Sequence, residues 1–122
     1  ILSEASGAIF FNDKLIIHND SGNENKLFAL DTISGLVTRT VTVTNATNVD
    51  WEDICMDAEY IYIGDTGNND GSRTDLRIYR VSIEDYLETT NDTILADTIN
   101  YSYANQVDFT PVLFNTNFDS GL

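Results

Sequence analysis

The densest group of chemically active side chains is the run Asp50-Trp51-Glu52-Asp53. Closely spaced carboxylates can act as general acid and base in a glycosidase or a phosphate-releasing enzyme, provided that the fold sets their separation. The neighbouring indole can stack on a sugar, or it can fill the core between two packed sheets, which is the more common role. The run therefore indicates a binding surface, and no residue is assigned a catalytic role.

A second candidate is the sequence Asp-Ser/Thr-Gly-Asn, which occurs at 20–23 and again at 65–68. In such a turn the aspartate accepts backbone N–H groups and the glycine supplies a positive φ, and this local role is our main interpretation. The other interpretation is a cation site, with Asp20, Asp65 and Asp70 as weak candidates for calcium, which takes about six to eight oxygen ligands. Because the alternating pattern of a calcium loop is missing, no cofactor is assigned beyond calcium as a candidate.

The single histidine, His18, lies in a strand-like run directly before Asn19 and Asp20. A structural hydrogen bond explains it better than a role as general base or metal ligand. No serine lies in a nucleophile-elbow pattern, and no glycine-rich loop precedes a helix. These residues therefore do not predict enzymatic activity.

These candidates belong to an internal repeat, because residues 6–23 align without a gap with residues 51–68, an offset of 45. Identical pairs include Ile9 with Ile54 and Ile16 with Ile61. A period of about 40 to 45 residues built from short strands is typical of a β-propeller blade.

Each unit contains four strand-like runs rich in β-branched residues and separated by turn residues. We predict an all-β fold: a β-propeller segment with two four-stranded antiparallel blades and the start of a third. Within a partial propeller domain over 1–122, blade one covers about 5–45, blade two about 50–104, and 105–122 connects to blade three. Inside blade two, residues 82–92 have the composition of a short helix, with Ser82 as its N-cap; one turn of helix within a loop is the equal alternative.

Strand parity places the candidate residues on one face of the predicted propeller. In an up-and-down blade, the connections between units lie at the same end as those between the second and third strands. The predicted binding residues at that end are His18, Asp20, Asn23, Asp50, Trp51, Glu52, Asp53, Asp65 and Asn68.

Composition limits the class of partner. The chain has 20 acidic and six basic residues, a formal net charge of −14. This charge opposes nucleic acid and anionic lipid as partners, which require clustered Lys and Arg, and favours cations, basic partners or simple solubility. No apolar run approaches the ~20 residues of a membrane span, so membrane insertion is not predicted. Cys55, the only cysteine, lies in the apolar run ICM and is predicted to be buried.

The motifs HNDSGN, TNVDWEDI and GDTGNN resemble the N-terminal blades of secreted β-propeller proteins from bacteria with type IX secretion. The resemblance covers about residues 3–122. It implies an exported or cell-surface protein that is a possible cargo of that secretion machinery. In such bacteria, Asp-Ser/Thr followed by an aliphatic residue resembles an O-glycosylation signal, which marks Thr32, Thr93 and Thr98 as candidate glycan sites.

We therefore expect an extracellular or cell-surface, non-catalytic scaffold for binding or adhesion. The alternative is a fragment of a propeller hydrolase with a divalent cation at its acidic mouth. Two blades cannot close a ring, so the expected partners are the rest of the same propeller or another protein.

Overall fold

The computed structural model describes residues 5–19, 24–68 and 71–102. Within these ranges the chain forms short strands and one helix. In chain order they are β1 (Ala5–Phe11), β2 (Lys14–Asn19), β3 (Lys26–Asp31), β4 (Val37–Val43), β5 (Trp51–Met56), β6 (Tyr60–Asp65), β7 (Arg77–Ser82), α1 (Ile83–Glu88), β8 (Thr93–Ile94) and β9 (Asp97–Asn100).

The strands form two sheets of neighbouring up-and-down strands. The first has the order β1-β2-β3-β4-β8 and the second the order β5-β6-β7-β9. Strands adjacent in both sequence and sheet pair antiparallel, as do β7 and β9. The predicted all-β fold with two antiparallel sheets is confirmed, and the predicted start of a third unit at 105–122 lies outside the described residues.

The first sheet has a fifth strand that the sequence did not predict. The two-residue strand β8 comes from the region predicted as blade two, yet it pairs in parallel with the end of β4. Backbone bonds from Thr42 N to the Asp92 oxygen and from Thr44 N to the Ile94 oxygen, both 2.9 Å, hold it there. The helix before β8 also contacts the first sheet, because Tyr86 of α1 packs edge-on against Phe11 of β1.

The two hairpins that contain the sequence repeat differ in register. In the first hairpin Ile9 lies opposite Ile16, whereas in the second Ile54 lies opposite Ile63 and not Ile61. A shift of two residues keeps each side chain on its own face of the sheet, whereas a shift of one would reverse every face. The repeat therefore predicts which residues face the core but not which residues pair.

Different turns produce this shift. In the first hairpin Asn12 and Asp13 form a two-residue turn with φ values of 55° and 62°. Short polar side chains tolerate that conformation. In the second hairpin, Asp57 accepts hydrogen bonds from the backbone N–H groups of Glu59 and Tyr60, both at 2.8 Å. That side-chain turn moves the reversal of the chain one residue later than the offset of 45 predicts.

One hydrophobic core contains residues from both sheets, and the first strands of the two sheets, β1 and β5, contact each other. Trp51 is a fully buried member of this core, with its ring centre 6.0 Å from that of Tyr79. The buried members are Ile16, Leu27, Ala29, Val41, Val43, Ala46, Trp51, Ile54, Ile61, Ile63, Tyr79, Val81, Tyr86, Ile94 and Ala96.

The prediction that Cys55 is buried is wrong, because its side chain is exposed. Ile54 and Met56 point towards the core, and alternation along the strand turns the residue between them to the other face. Partial burial, followed by the carboxylates of Asp53 and Asp57, raises the pKa of the thiol.

The predicted helix is confirmed as α1, with Ser82 as its N-cap. The Ser82 hydroxyl accepts a hydrogen bond from Asp85 N at 3.2 Å. Glu84 and Asp85 occupy the first turn, where negative charge is favourable. In the described ranges, no helix has the length and apolar character needed to span a membrane.

Candidate functional site

The strand ends that parity predicted to share a face lie together in the described part of the chain. We call this region the shared end: His18 and Asn19, residues 48–53, residues 65–68, and Arg73. Asn48 connects its two sheets, because its side-chain nitrogen donates to the Asn19 oxygen of β2 at 3.1 Å and its side-chain oxygen accepts from Trp51 N of β5 at 3.0 Å. At the same end, Asp50 N donates to Oδ1 of Asp65 at 2.9 Å.

Trp51 and His18 are core residues of the shared end. Trp51 is completely buried, and its indole nitrogen donates to the Thr47 oxygen at 2.9 Å. His18 is also buried, edge-on to the indole with ring centres 5.7 Å apart, and its Nδ1 lies 2.9 Å from the Asn19 oxygen. The indole thus presents no face on which a sugar could stack.

Close packing at this point also explains Gly7. A Cβ atom there would lie 2.9 Å from Nε2 of His18 and 3.1 Å from a methyl carbon of Ile54. A larger residue would therefore require His18 and Ile54 to shift, so glycine at this position favours the close meeting of β1, β2 and β5 around the imidazole.

Asp65 is buried and bound by the protein's own donors. Its Oδ1 accepts from Asp50 N and from Nη1 of Arg73, both at 2.9 Å, while Oδ2 accepts from Val49 N at 3.4 Å. A carboxylate paired with a guanidinium is poorly placed to bind Ca²⁺ as well. The calcium role considered for Asp65 is therefore opposed by its surroundings.

The other residues considered for calcium, Asp20 and Asp70, lie outside the described residues, as does Asn23 of the predicted binding set. Among the residues that are described, no cluster of three or more His, Cys, Asp or Glu side chains is arranged to hold a metal ion.

Arg73 belongs to the shared end but was not predicted from the sequence. Its guanidinium donates to Asp65, to the Gly67 oxygen at 3.0 Å and to Oδ1 of Asp75 at 2.9 Å. Its own backbone N–H donates to Oδ1 of Asn68 at 2.9 Å. The sequence feature that could have indicated its role is a single arginine in the connection between β6 and β7, because a buried carboxylate needs a counter-ion.

Electrostatics keep Arg73 charged. Burial lowers the pKa of its guanidinium, but hydrogen bonds to Asp75 and Asp65 outweigh that effect and leave the pKa raised. The arginine therefore fastens the long connection before β7 onto the buried carboxylate of β6.

The second Asp-Thr-Gly-Asn turn needs its glycine for a reason other than the predicted one. Gly67 does not have a positive φ; in the described ranges only Gly35 and Gly71 do among the glycines. Instead, a Cβ atom at Gly67 would overlap the side-chain carboxylate of Asp50. The backbone N–H of Gly67 donates to the backbone carbonyl oxygen of Asp50 at 3.1 Å. The glycine allows the chain before β5 to pass directly over the turn.

The carboxylates that solvent reaches at the shared end are those of Glu52 and Asp53, with Asp50 half-buried. An irregular register between Trp51 and Asp53 interrupts the pairing of β5 with β6. Such a bulge redirects side chains at the end of a strand. The solvent-accessible side chains at the shared end are thus anionic, and they lie next to a packed interior.

The three candidate glycan sites differ in exposure. Thr32 is exposed in the turn between β3 and β4, and Thr98 is exposed on β9, the last strand of its sheet. Thr93 in β8 is half-buried, and its hydroxyl donates to Oδ1 of Asn91 at 2.8 Å. Thr32 and Thr98 are therefore the more accessible positions.

Comparison with protein-family models, with curated proteins and with solved structures finds no match. The residues of the chain itself are the basis for assigning a function.

Proposed function

We propose that this chain is a segment of a β-propeller that serves as a non-catalytic binding scaffold in an exported or cell-surface protein. Two sheets of up-and-down strands that share a core, with their first strands in contact, support a propeller arrangement. The neighbouring blades would come from the same parent protein or from a partner.

The observation that carries this proposal is that the shared end combines buried, internally bonded side chains with exposed carboxylates. Two side chains that could have bound a ligand are engaged inside the protein, since Trp51 fills the core and Asp65 is bound to Arg73. Glu52 and Asp53 are exposed next to them. A rigid surface that presents carboxylates suits a cationic partner, which the net charge of −14 also attracts over longer range.

The hydrolase alternative is less well supported. It requires a divalent cation at the acidic mouth, and Asp65 is the described residue expected to bind it. Because that carboxylate already pairs with a guanidinium, metal binding would require the ion pair to break.

Binding can be tested with an oligolysine peptide as the cationic probe. The double variant Glu52→Gln/Asp53→Asn should weaken binding severalfold at low salt, and the effect should fall as ionic strength rises. The matched control is Glu84→Gln/Asp85→Asn, which removes the same formal charge from α1. If both pairs weaken binding equally, the attraction is due to net charge alone and the proposed binding surface is refuted.

The propeller arrangement can be tested by solving the structure of the parent protein. The expected result is a closed ring of blades in which β1 and β5 line the central axis. A closed two-sheet sandwich without further blades would contradict the proposal.

Export and glycosylation can be tested by peptide mass mapping of the protein isolated from its native host. Sugar mass increments are expected on the peptides that contain Thr32 or Thr98. A chain recovered from the cell exterior without any increment would refute the glycan sites while leaving export unaffected.

A further inference from the structure

A cavity of about 160 Å³ lies between the first sheet and α1, at the opposite end of β1 and β2 from the shared end. Ile16 and Ala29, both buried, form part of its apolar lining. Phe11 and Tyr86 add two aromatic rings, which meet edge-on with centres 6.2 Å apart. An apolar cavity of about 150 Å³ is large enough to hold a benzene ring.

The charged residues that line this cavity are both basic. Lys14 and Arg39 are two of only six basic residues in a chain that has 20 acidic ones. The remaining lining side chains, Asn12 and Thr38, are polar and uncharged. The cavity is therefore a basic site in an acidic protein.

The acidic residues nearest to the cavity do not occupy all hydrogen-bond donors of Lys14 and Arg39. Asp92 accepts from Nε of Arg39 at 2.9 Å, but the Asp92 side chain is 53% exposed. Surface ion pairs of this kind contribute little. The guanidinium, 4.5 Å from the centre of the Tyr86 ring, has further N–H donors. Across the sheet from Lys14, the carboxylate of Asp31 accepts from the hydroxyl and backbone N–H of Ser34.

We propose that this cavity binds a small aromatic carboxylate. The ligand ring would lie in the cavity against the touching Phe11 and Tyr86 rings, Ile16 and Ala29, and the carboxylate would accept hydrogen bonds from Lys14 and from the remaining N–H groups of the Arg39 guanidinium. A neutral ring would lose the charged contacts, and a sugar acid would place its hydroxyl groups against the apolar lining. This inference does not depend on the proposed scaffold function.

The test is a titration of the full ¹⁵N-labelled chain followed by NMR, with benzoate as the probe up to about 20 mM. Saturable shifts of the Ala29 and Thr38 amide signals are expected. Benzamide, the neutral isostere, should bind at least about fivefold more weakly. Equal shifts with benzoate and benzamide, or binding of glucuronate without binding of benzoate, would overturn the assignment.

Three variants and one control locate the site. Lys14→Gln and Arg39→Gln should each weaken benzoate binding by about fivefold, and Thr38→Phe should abolish it by filling the cavity from its exposed side. Arg77→Gln, which removes a positive charge from the other sheet, should leave binding unchanged. A dispersed amide spectrum shows that each variant is folded. Equal weakening by Arg77→Gln and Lys14→Gln would mean that benzoate responds to charge and not to the cavity.

Discussion

Replacing Arg73 with methionine should destabilise the fold much more than an ordinary surface substitution. The variant would leave the Asp65 carboxylate completely buried without its counter-ion. Breaking a buried pair in this way costs about 3–5 kcal/mol. The loss is moderated because the arginine side chain is itself 12% exposed, and two backbone N–H groups still bind the carboxylate. We therefore expect the free energy of unfolding to fall by about 2–4 kcal/mol.

Urea denaturation followed by Trp51 fluorescence measures this loss, because the indole passes from a buried site into water. With a slope of about 2 kcal/mol per molar urea, the midpoint should fall by about 1–2 M. The matched control is Arg77→Met, whose partner Asp75 is 48% exposed and lies 3.3 Å away. Because that pair is exposed to solvent, the control change should cost less than about 1 kcal/mol.

A double-mutant cycle separates the ion pair from general packing. Asp65→Asn combined with Arg73→Met removes both charges, and the combined loss should be smaller than the sum of the single losses by about 1–3 kcal/mol. If Arg73→Met and Arg77→Met lower stability equally, the carboxylate does not depend on its guanidinium and the reasoning is refuted.

Three further predictions concern local structure. Gly67→Ala should lower the free energy of unfolding by about 1–3 kcal/mol, because the added methyl group overlaps the Asp50 carboxylate; an unchanged urea midpoint would mean that Asp50 moves aside. Ser82→Ala should cost about 1 kcal/mol by removing the N-cap of α1, whereas Ser82→Asp should retain most of the stability in thermal melts; equal losses would argue against the cap. Asp57→Asn should lower the melting temperature near neutral pH but not in acid. Hydrogen bonds from two backbone N–H groups and a tyrosine hydroxyl lower the pKa of Asp57. Its contribution is therefore complete above the unfolded pKa of about 4 and is lost as the pH falls through the lower folded pKa; a gap that does not narrow as the pH is lowered below about 4 would contradict this.

Local features were predictable from the sequence to the extent that they depend on near neighbours. The N-cap at Ser82 was predicted correctly because a short polar side chain can satisfy a backbone N–H group three residues later. Cys55 was misjudged because the run ICM is apolar throughout, and only its position between two inward-facing residues shows that it faces outward.

The candidate site was predictable in location but not in detail. Strand parity correctly brought His18, Trp51 and Asp65 to one end, since parity follows from counting strands. The role of Arg73 was missed because the sequence does not show which carboxylate a distant arginine will reach. The same limit applies to Gly67, whose neighbour Asp50 lies on another strand connection.

The sequence by itself determined the all-β class, the alternation that divides core from surface, and the strongly acidic charge, because each follows from residue types at short spacing. Only the tertiary structure decided the two-residue shift between the hairpins, the transfer of β8 to the first sheet, and the use of Asp65 as a buried anchor for Arg73. These features join residues whose contact depends on how turns and core side chains pack together. This packing is a property of the whole fold and is not encoded in any short run of residues.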